Sequence, residues 1–109
     1  TGDLPEMKSA MAVELGKGPA VKVMDRSVIC TPAVVDALEQ AAKDCGVSAQ
    51  REILLCGGTD TSALQKARAS VQAGAVSIPT RYIHSPSELC AVSDVEDAAK
   101  LLTQYALRK

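Results

Sequence analysis

The chain has 109 residues, a formal net charge of −1, 47% hydrophobic residues, no Trp or Phe and two Tyr. That length fits one small domain or part of a larger one, and an aliphatic core without large aromatics makes a free-standing domain of this size marginal. Near-neutral charge removes the electrostatic basis for nucleic acid or an anionic membrane as partner; no apolar run approaches a membrane span, and the N-terminus has no signal-peptide apolar region.

Residues 1–18 are polar and punctuated by Pro5, Gly16 and Gly18, and read as an irregular lead-in with a short strand at Ala10–Val13. Pro19–Met24 alternates as a strand does, and Ser27–Cys30 is a second short apolar run. A helix follows. Thr31 is placed to be its N-cap, Pro32 sits where a missing N–H is harmless, and Gly46 ends it. Its apolar face is Val34, Val35, Leu38, Ala41, Ala42 and Cys45. Gln50–Cys56 contains the β-like run Ile53-Leu54-Leu55. Ser62–Ala69 has helical composition, and Ala73–Pro79 reads as a buried strand. The last helix starts at a capping box, Ser93 as N-cap and Glu96 three residues on, with Val95, Ala98, Ala99, Leu102, Tyr105 and Ala106 facing inward. Arg108 and Lys109 complement its C-terminal dipole. Strands alternating with helices predict an α/β layered fold without an internal domain boundary.

Cys30, Cys45, Cys56 and Cys90 show no C-x-x-C spacing, which argues against a zinc knuckle or a thioredoxin-like motif and for reduced thiols in a cytoplasmic protein. Three features can carry chemistry. In Cys56-Gly57-Gly58-Thr59-Asp60, paired glycines after a strand let a ligand approach the backbone, while Thr59 and Asp60 offer a hydroxyl, a carboxylate and a helix start. The bland alternative is a tight turn with Asp60 as a cap. In Ile78–Pro86, the single histidine, His84, follows a strand and is bounded by prolines. Neutral imidazole is a common metal ligand and Arg81 can orient a carboxylate, although a lone His is more often an ordinary surface residue and an Arg more often part of a surface ion pair. Thr1 is a formal N-terminal nucleophile, but without partners or an oxyanion hole it is the weakest of the three.

Taken together, Leu15-Gly16-Lys17-Gly18-Pro19, Lys22-Val23-Met24-Asp25-Arg26-Ser27, the Gly57-Gly58-Thr59-Asp60 turn and Ser77-Ile78-Pro79-Thr80-Arg81-Tyr82-Ile83-His84-Ser85-Pro86 resemble the C-terminal signature of the glutamyl and deblocking aminopeptidases. This family forms tetrahedral particles and includes proteins once labelled endoglucanases. The resemblance implies that residues 1–109 are the C-terminal portion of a zinc-peptidase-like three-layer α/β/α catalytic domain, with the lid domain absent. It implies a metallo-aminopeptidase with two divalent ions, zinc or cobalt, a bridging water that attacks the scissile carbonyl and a Glu as general base. His84 matches the last metal ligand, and Gly58, Thr59 and Asp60 lie on the substrate side, with Arg81 nearby. The other ligands and the general base match positions upstream of Thr1. The expectation is therefore a fragment, inactive alone, whose partners are the remainder of its own catalytic domain, peptide substrates and further copies in a dodecamer. The competing expectation is a catalytically inactive, free-standing α/β binding module that uses the GGTD and Arg81–His84 loops. Cooperative unfolding of the isolated chain would favour the module.

Overall fold

The computed structural model describes residues 11–108. In chain order the elements are β1 (Ala20–Met24), α1 (Pro32–Asp44), β2 (Gln50–Ile53), α2 (Thr61–Gln65), β3 (Val76–Ser77), β4 (Thr80–Arg81), β5 (Leu89–Cys90) and α3 (Val92–Leu107). Strand β1 is central: β2 pairs with it in parallel and β3 antiparallel, while β4 and β5 form a separate two-stranded ribbon. The α/β expectation holds.

Alternation along β1 sorts its side chains onto two faces. Val21 joins Val28, Cys30, Val35, Leu38, Ala42, Val47 and Leu101 in one apolar cluster, with Val23, Val34 and Tyr105 packed at its margin. Helices α1 and α3 pack against each other over that face. Each fully buried Leu or Val there contributes about 1.5–3 kcal/mol relative to exposure. The expected face of α1 is the observed one: Val35, Leu38, Ala41 and Ala42 are buried. Thr31 stands at the N-cap, but its hydroxyl accepts the Ala73 N–H at 3.1 Å while its own N–H donates to the Ala73 carbonyl at 2.9 Å. The residue that starts the helix is thus also the one that ties it to the segment entering β3.

Other expectations need correction. Ala10 lies outside the described residues, and residues 11–13 form no strand. The apolar run at Ser27–Cys30 returns as the arm of a tight hairpin, with a single bridge between Met24 and Ile29. Strand β3 covers only Val76–Ser77 of the expected Ala73–Pro79. Helix α2 stops at Gln65, and Arg68 (φ 50°) and Ser70 (φ 73°) take left-handed backbone conformations that end any continuation.

The capping box does not form. Helix α3 begins at Val92 with Ala91 at the N-cap position and no side-chain cap. Asp94 is 1% exposed and accepts hydrogen bonds from the Gly16 N–H (2.8 Å) and the Gly18 N–H (3.0 Å). Turning Asp94 inward rotates the helix, so that Asp94, Ala98 and Leu101 are buried while Val95 and Leu102 remain 40% and 47% exposed. Arg108 reaches across to donate to the Ala37 carbonyl on α1 at 2.7 Å, and Lys109 lies outside the described residues.

The loop before β1 is held from both sides. Gln50 donates to the carbonyls of Glu14 and Gly18 and accepts the Glu14 N–H, at 2.8–2.9 Å. Gly18 has φ 90°, and a Cβ there would stand 1.8 Å from the Ser48 carbonyl oxygen, so only glycine fits this crossing.

Candidate functional site

The face of β1 opposite the helices is charged. Lys22, centred in an otherwise apolar strand, is opposite Glu52 in the β1–β2 register, and its ammonium lies 2.7 Å from Glu52 Oε2 and 3.6 Å from Asp25 Oδ2. Ser77 Oγ on β3 donates to the same Glu52 Oε2 at 2.7 Å. Lys22, Asp25 and Glu52 are all no more than 2% exposed. Buried charges persist only when paired and hydrogen-bonded, and two carboxylates here share one ammonium. Glu52 Oε1 has no hydrogen-bond partner among the described residues.

Above this charged floor opens a cleft of about 450 Å³. Lys22 and Ser77 line its base, Gly57, Gly58 and Thr59 one wall, and His84 with Ile83 another. The fold thus brings Gly58, Thr59 and His84 together from segments some distance apart in the chain. Asp60 and Arg81 are not part of the lining. Asp60 is exposed at the start of α2, where its side chain makes no cap bond, and Arg81 lies half-buried on β4 within its own interactions. Helix α2 has only five residues, so the helix start expected to bind polar groups contributes little.

His84 has φ 62° and Tyr82 φ 57°. Left-handed conformations in non-glycine residues are uncommon and are sustained only where surroundings enforce them. Here the Glu88 carboxylate accepts the His84 N–H and closes the loop, and His84 as a residue is exposed. Residues 82–90 are all exposed among the described residues, in contrast to the buried Pro79 that precedes them.

The glycine turn is anchored from behind. Asp25 Oδ1 accepts from the Ser27 N–H (2.8 Å), the Ser27 hydroxyl (2.7 Å) and the Val28 N–H (3.0 Å), and Oδ2 accepts from the Thr59 hydroxyl (2.8 Å). Burial acts to raise the Asp25 pKa, but the bonds from Ser27 and Thr59 and the nearby Lys22 ammonium outweigh it and lower the carboxyl from 3.8 to about 2. The Thr59 hydroxyl proton is thereby committed to Asp25. Burial also pushes the Cys30 thiol pKa up, as fits a packed, unreactive cysteine.

Lys22, Asp25 and Ser77 lie in the stretches that carry the family resemblance but have no role assigned there, and Glu52 lies outside them. A lysine within Ala20-Val21-Lys22-Val23-Met24 is the one signal that could have marked them, because a charge in the middle of a central strand needs a partner on the neighbouring one. Among the described residues no group of three or more His, Cys, Asp or Glu can hold a metal ion. His84 alone does not fit a metal centre, since such sites need at least three protein ligands.

No helix among the described residues is long and apolar enough to cross a membrane. A putative aminopeptidase of Acetivibrio thermocellus is 47% identical over 104 residues, covering 95% of this chain and 31% of that protein. The crystal structure of a TET aminopeptidase from the marine sediment archaeon Thaumarchaeota archaeon SCGC AB-539-E09 superposes with a TM-score of 0.88 at 32% identity, covering 94% of this chain and 29% of that one. The Pyrococcus horikoshii TET1 peptidase, which can assemble into a tetrahedron or a large octahedral shell, superposes with a TM-score of 0.80 at 32% identity over 89% of this chain and 28% of that one. The chain therefore spans about three tenths of the length of these relatives. The α/β arrangement is that of a peptidase domain of this type. The sequence profile of the M42 glutamyl aminopeptidases matches residues 1–101, and the chain belongs to that family.

Proposed function

We propose that the protein containing this segment is a metal-dependent aminopeptidase that removes N-terminal residues from peptides. The observation that carries this reading is the meeting of the glycine turn and His84 at one cleft, within a chain whose family profile match runs over residues 1–101. In this reading residues 1–109 are the C-terminal segment of the catalytic domain. Gly57 and Gly58 expose backbone to an extended peptide, Thr59 and Asp60 stand on the substrate side, and Arg81 assists from the adjoining β4–β5 ribbon. His84 is one ligand to a pair of divalent ions, zinc or cobalt, with the other ligands and the general base outside the described residues. When bound, the ions supply activation of water for peptide hydrolysis. The described residues do not fit that centre on their own, and the segment by itself is inactive.

Homo-oligomeric assembly, as described for the Pyrococcus horikoshii peptidase, and a cytoplasmic location complete the proposal. Replacing His84 by Ala in the complete protein tests it. The expected result is loss of at least one metal ion per subunit, read by plasma mass spectrometry, and loss of aminopeptidase turnover. Full metal content with normal turnover would remove His84 from the ligand set.

A further inference from the structure

The cleft wall formed by the glycine turn is not self-supporting. Residues 57–59 follow the end of β2 and belong to no strand; they are held by the hairpin that follows β1. The connections are specific. The Arg26 N–H donates to the Gly57 carbonyl at 3.1 Å, the Thr59 N–H to Ser27 Oγ at 3.3 Å and the Thr59 hydroxyl to Asp25 Oδ2 at 2.8 Å. Asp25 in turn holds Ser27 through both its N–H and its hydroxyl. Gly58 completes the fit, because a Cβ there would stand 2.7 Å from Ser27 Oγ.

Asp25 itself is 2% exposed and is not part of the cleft lining, so it meets no substrate. It accepts from three groups of its own hairpin and one of the glycine turn, and so joins two segments 34 residues apart. Removing one bond of such a set leaves buried donors without partners and lets the turn relax. We propose that Asp25, acting through Ser27 and Thr59, is the positioning residue that sets the Gly57–Thr59 wall for binding the peptide. This rests on the aminopeptidase reading above. Because the wall touches substrate before and during reaction alike, its displacement weakens binding in ground and transition states together, and the effect falls on KM more than on kcat.

The test uses the complete protein, with Asp25→Asn, Thr59→Val, Thr59→Ser and the double variant Asp25→Asn/Thr59→Val. Four readouts apply: steady-state kinetics on an aminoacyl anilide, metal content, hydrogen exchange over residues 57–60, and circular dichroism for folding. Asp25→Asn is expected to raise KM about tenfold, with kcat within about threefold and metal content unchanged. The double variant should lose no more than the larger single loss, since both act on one contact. Thr59→Ser, which keeps the hydroxyl, should recover most of what Thr59→Val loses. Unchanged KM in Asp25→Asn, or additive losses, would overturn the proposal, as would a fall confined to kcat with loss of metal. If Asp25→Asn fails to fold, Thr59→Val, which leaves the Asp25 hairpin intact, decides by hydrogen exchange: faster exchange over residues 57–60 together with a raised KM upholds the proposal, and unchanged exchange overturns it. If the wild-type protein turns over no aminoacyl substrate, the aminopeptidase reading fails. The clamp is then judged by exchange alone: faster exchange at 57–60 in Thr59→Val upholds it, and unchanged exchange refutes it.

Discussion

The two faces of β1 are stabilised by different physics. Toward α1 and α3 the strand offers Val21 to an apolar cluster in which Leu101 is fully buried. On the other side it offers Lys22 to Glu52 and Asp25 beneath an open cleft, with one Glu52 oxygen unpartnered among the described residues and with residues 82–90 exposed. The apolar face is non-directional and tolerates rearrangement at moderate cost. The charged face depends on a few short contacts, and loss of any one strands another group. Stability resides on the first face and the candidate chemistry on the second.

Breaking the charged face should produce the largest effect. In the complete protein Lys22→Met leaves Glu52 and Asp25 buried without their ammonium, and should lower unfolding free energy by about 3–5 kcal/mol in denaturant titrations. The double variant Lys22→Met/Glu52→Met should recover much of that loss, because a buried ion pair replaced by apolar groups is often neutral. Recovery would show that the pair is kept for the cleft and not for stability. On the apolar face, Leu101→Ala should cost about 2–5 kcal/mol, with no matching rescue partner. Activity per folded molecule should survive Leu101→Ala and fall in both Lys22 variants, which is the sharpest separation of the two faces.

Acid offers a gentler probe. The Asp25 carboxyl is lowered from 3.8 to about 2 in the folded chain. A depressed pKa means that its stabilisation is fully present above the unfolded value and is lost as pH falls through the folded one. Stability should thus fall by about 2 kcal/mol between roughly pH 4 and pH 2, and Asp25→Asn should flatten that part of the profile. The smallest effect belongs to the surface pair Arg51–Glu39, in which the Arg51 side chain is 66% exposed. Glu39→Gln should leave the melting temperature unchanged within measurement, as exposed ion pairs commonly do.

Local pattern made β1 and α1 readable because each carries its own periodicity, and α1 also carries start and stop residues that the structure uses; β2 instead spans Gln50–Ile53, leaves Leu54 and Leu55 of the expected Ile53-Leu54-Leu55 run outside the strand, and buries Glu52. Helix α3 was readable in its existence but not in its start or its rotation. Ser93 and Glu96 have the spacing of a capping box, yet Asp94 found two backbone N–H groups at Gly16 and Gly18, far away in the chain, and that long-range bond set the face. Family resemblance marked the glycine turn and His84, and the fold places them at one cleft. It included Lys22, Asp25 and Ser77 in its signature without giving them a role and left Glu52 out; their meeting depends on strand register and on a hairpin, neither of which periodicity encodes. Ser62–Ala69 is helical only as far as Gln65, because Arg68 and Ser70 beyond it adopt left-handed turn geometry.

The central place of β1 also governs the order in which the molecule can assemble. Ala20 pairs with Gln50 on one side and Ser77 on the other, so this strand acquires its neighbours only after long intervening loops have closed. Such non-local pairing slows folding, since loop entropy is lost before the contacts that reward it are made. As the chain leaves the ribosome, Lys22 stays hydrated until Glu52 has emerged, and Glu52 waits again for Ser77. The charged face is thus completed only by the same long-range pairings that complete the sheet, so burial of Lys22 and closure of the sheet are one event.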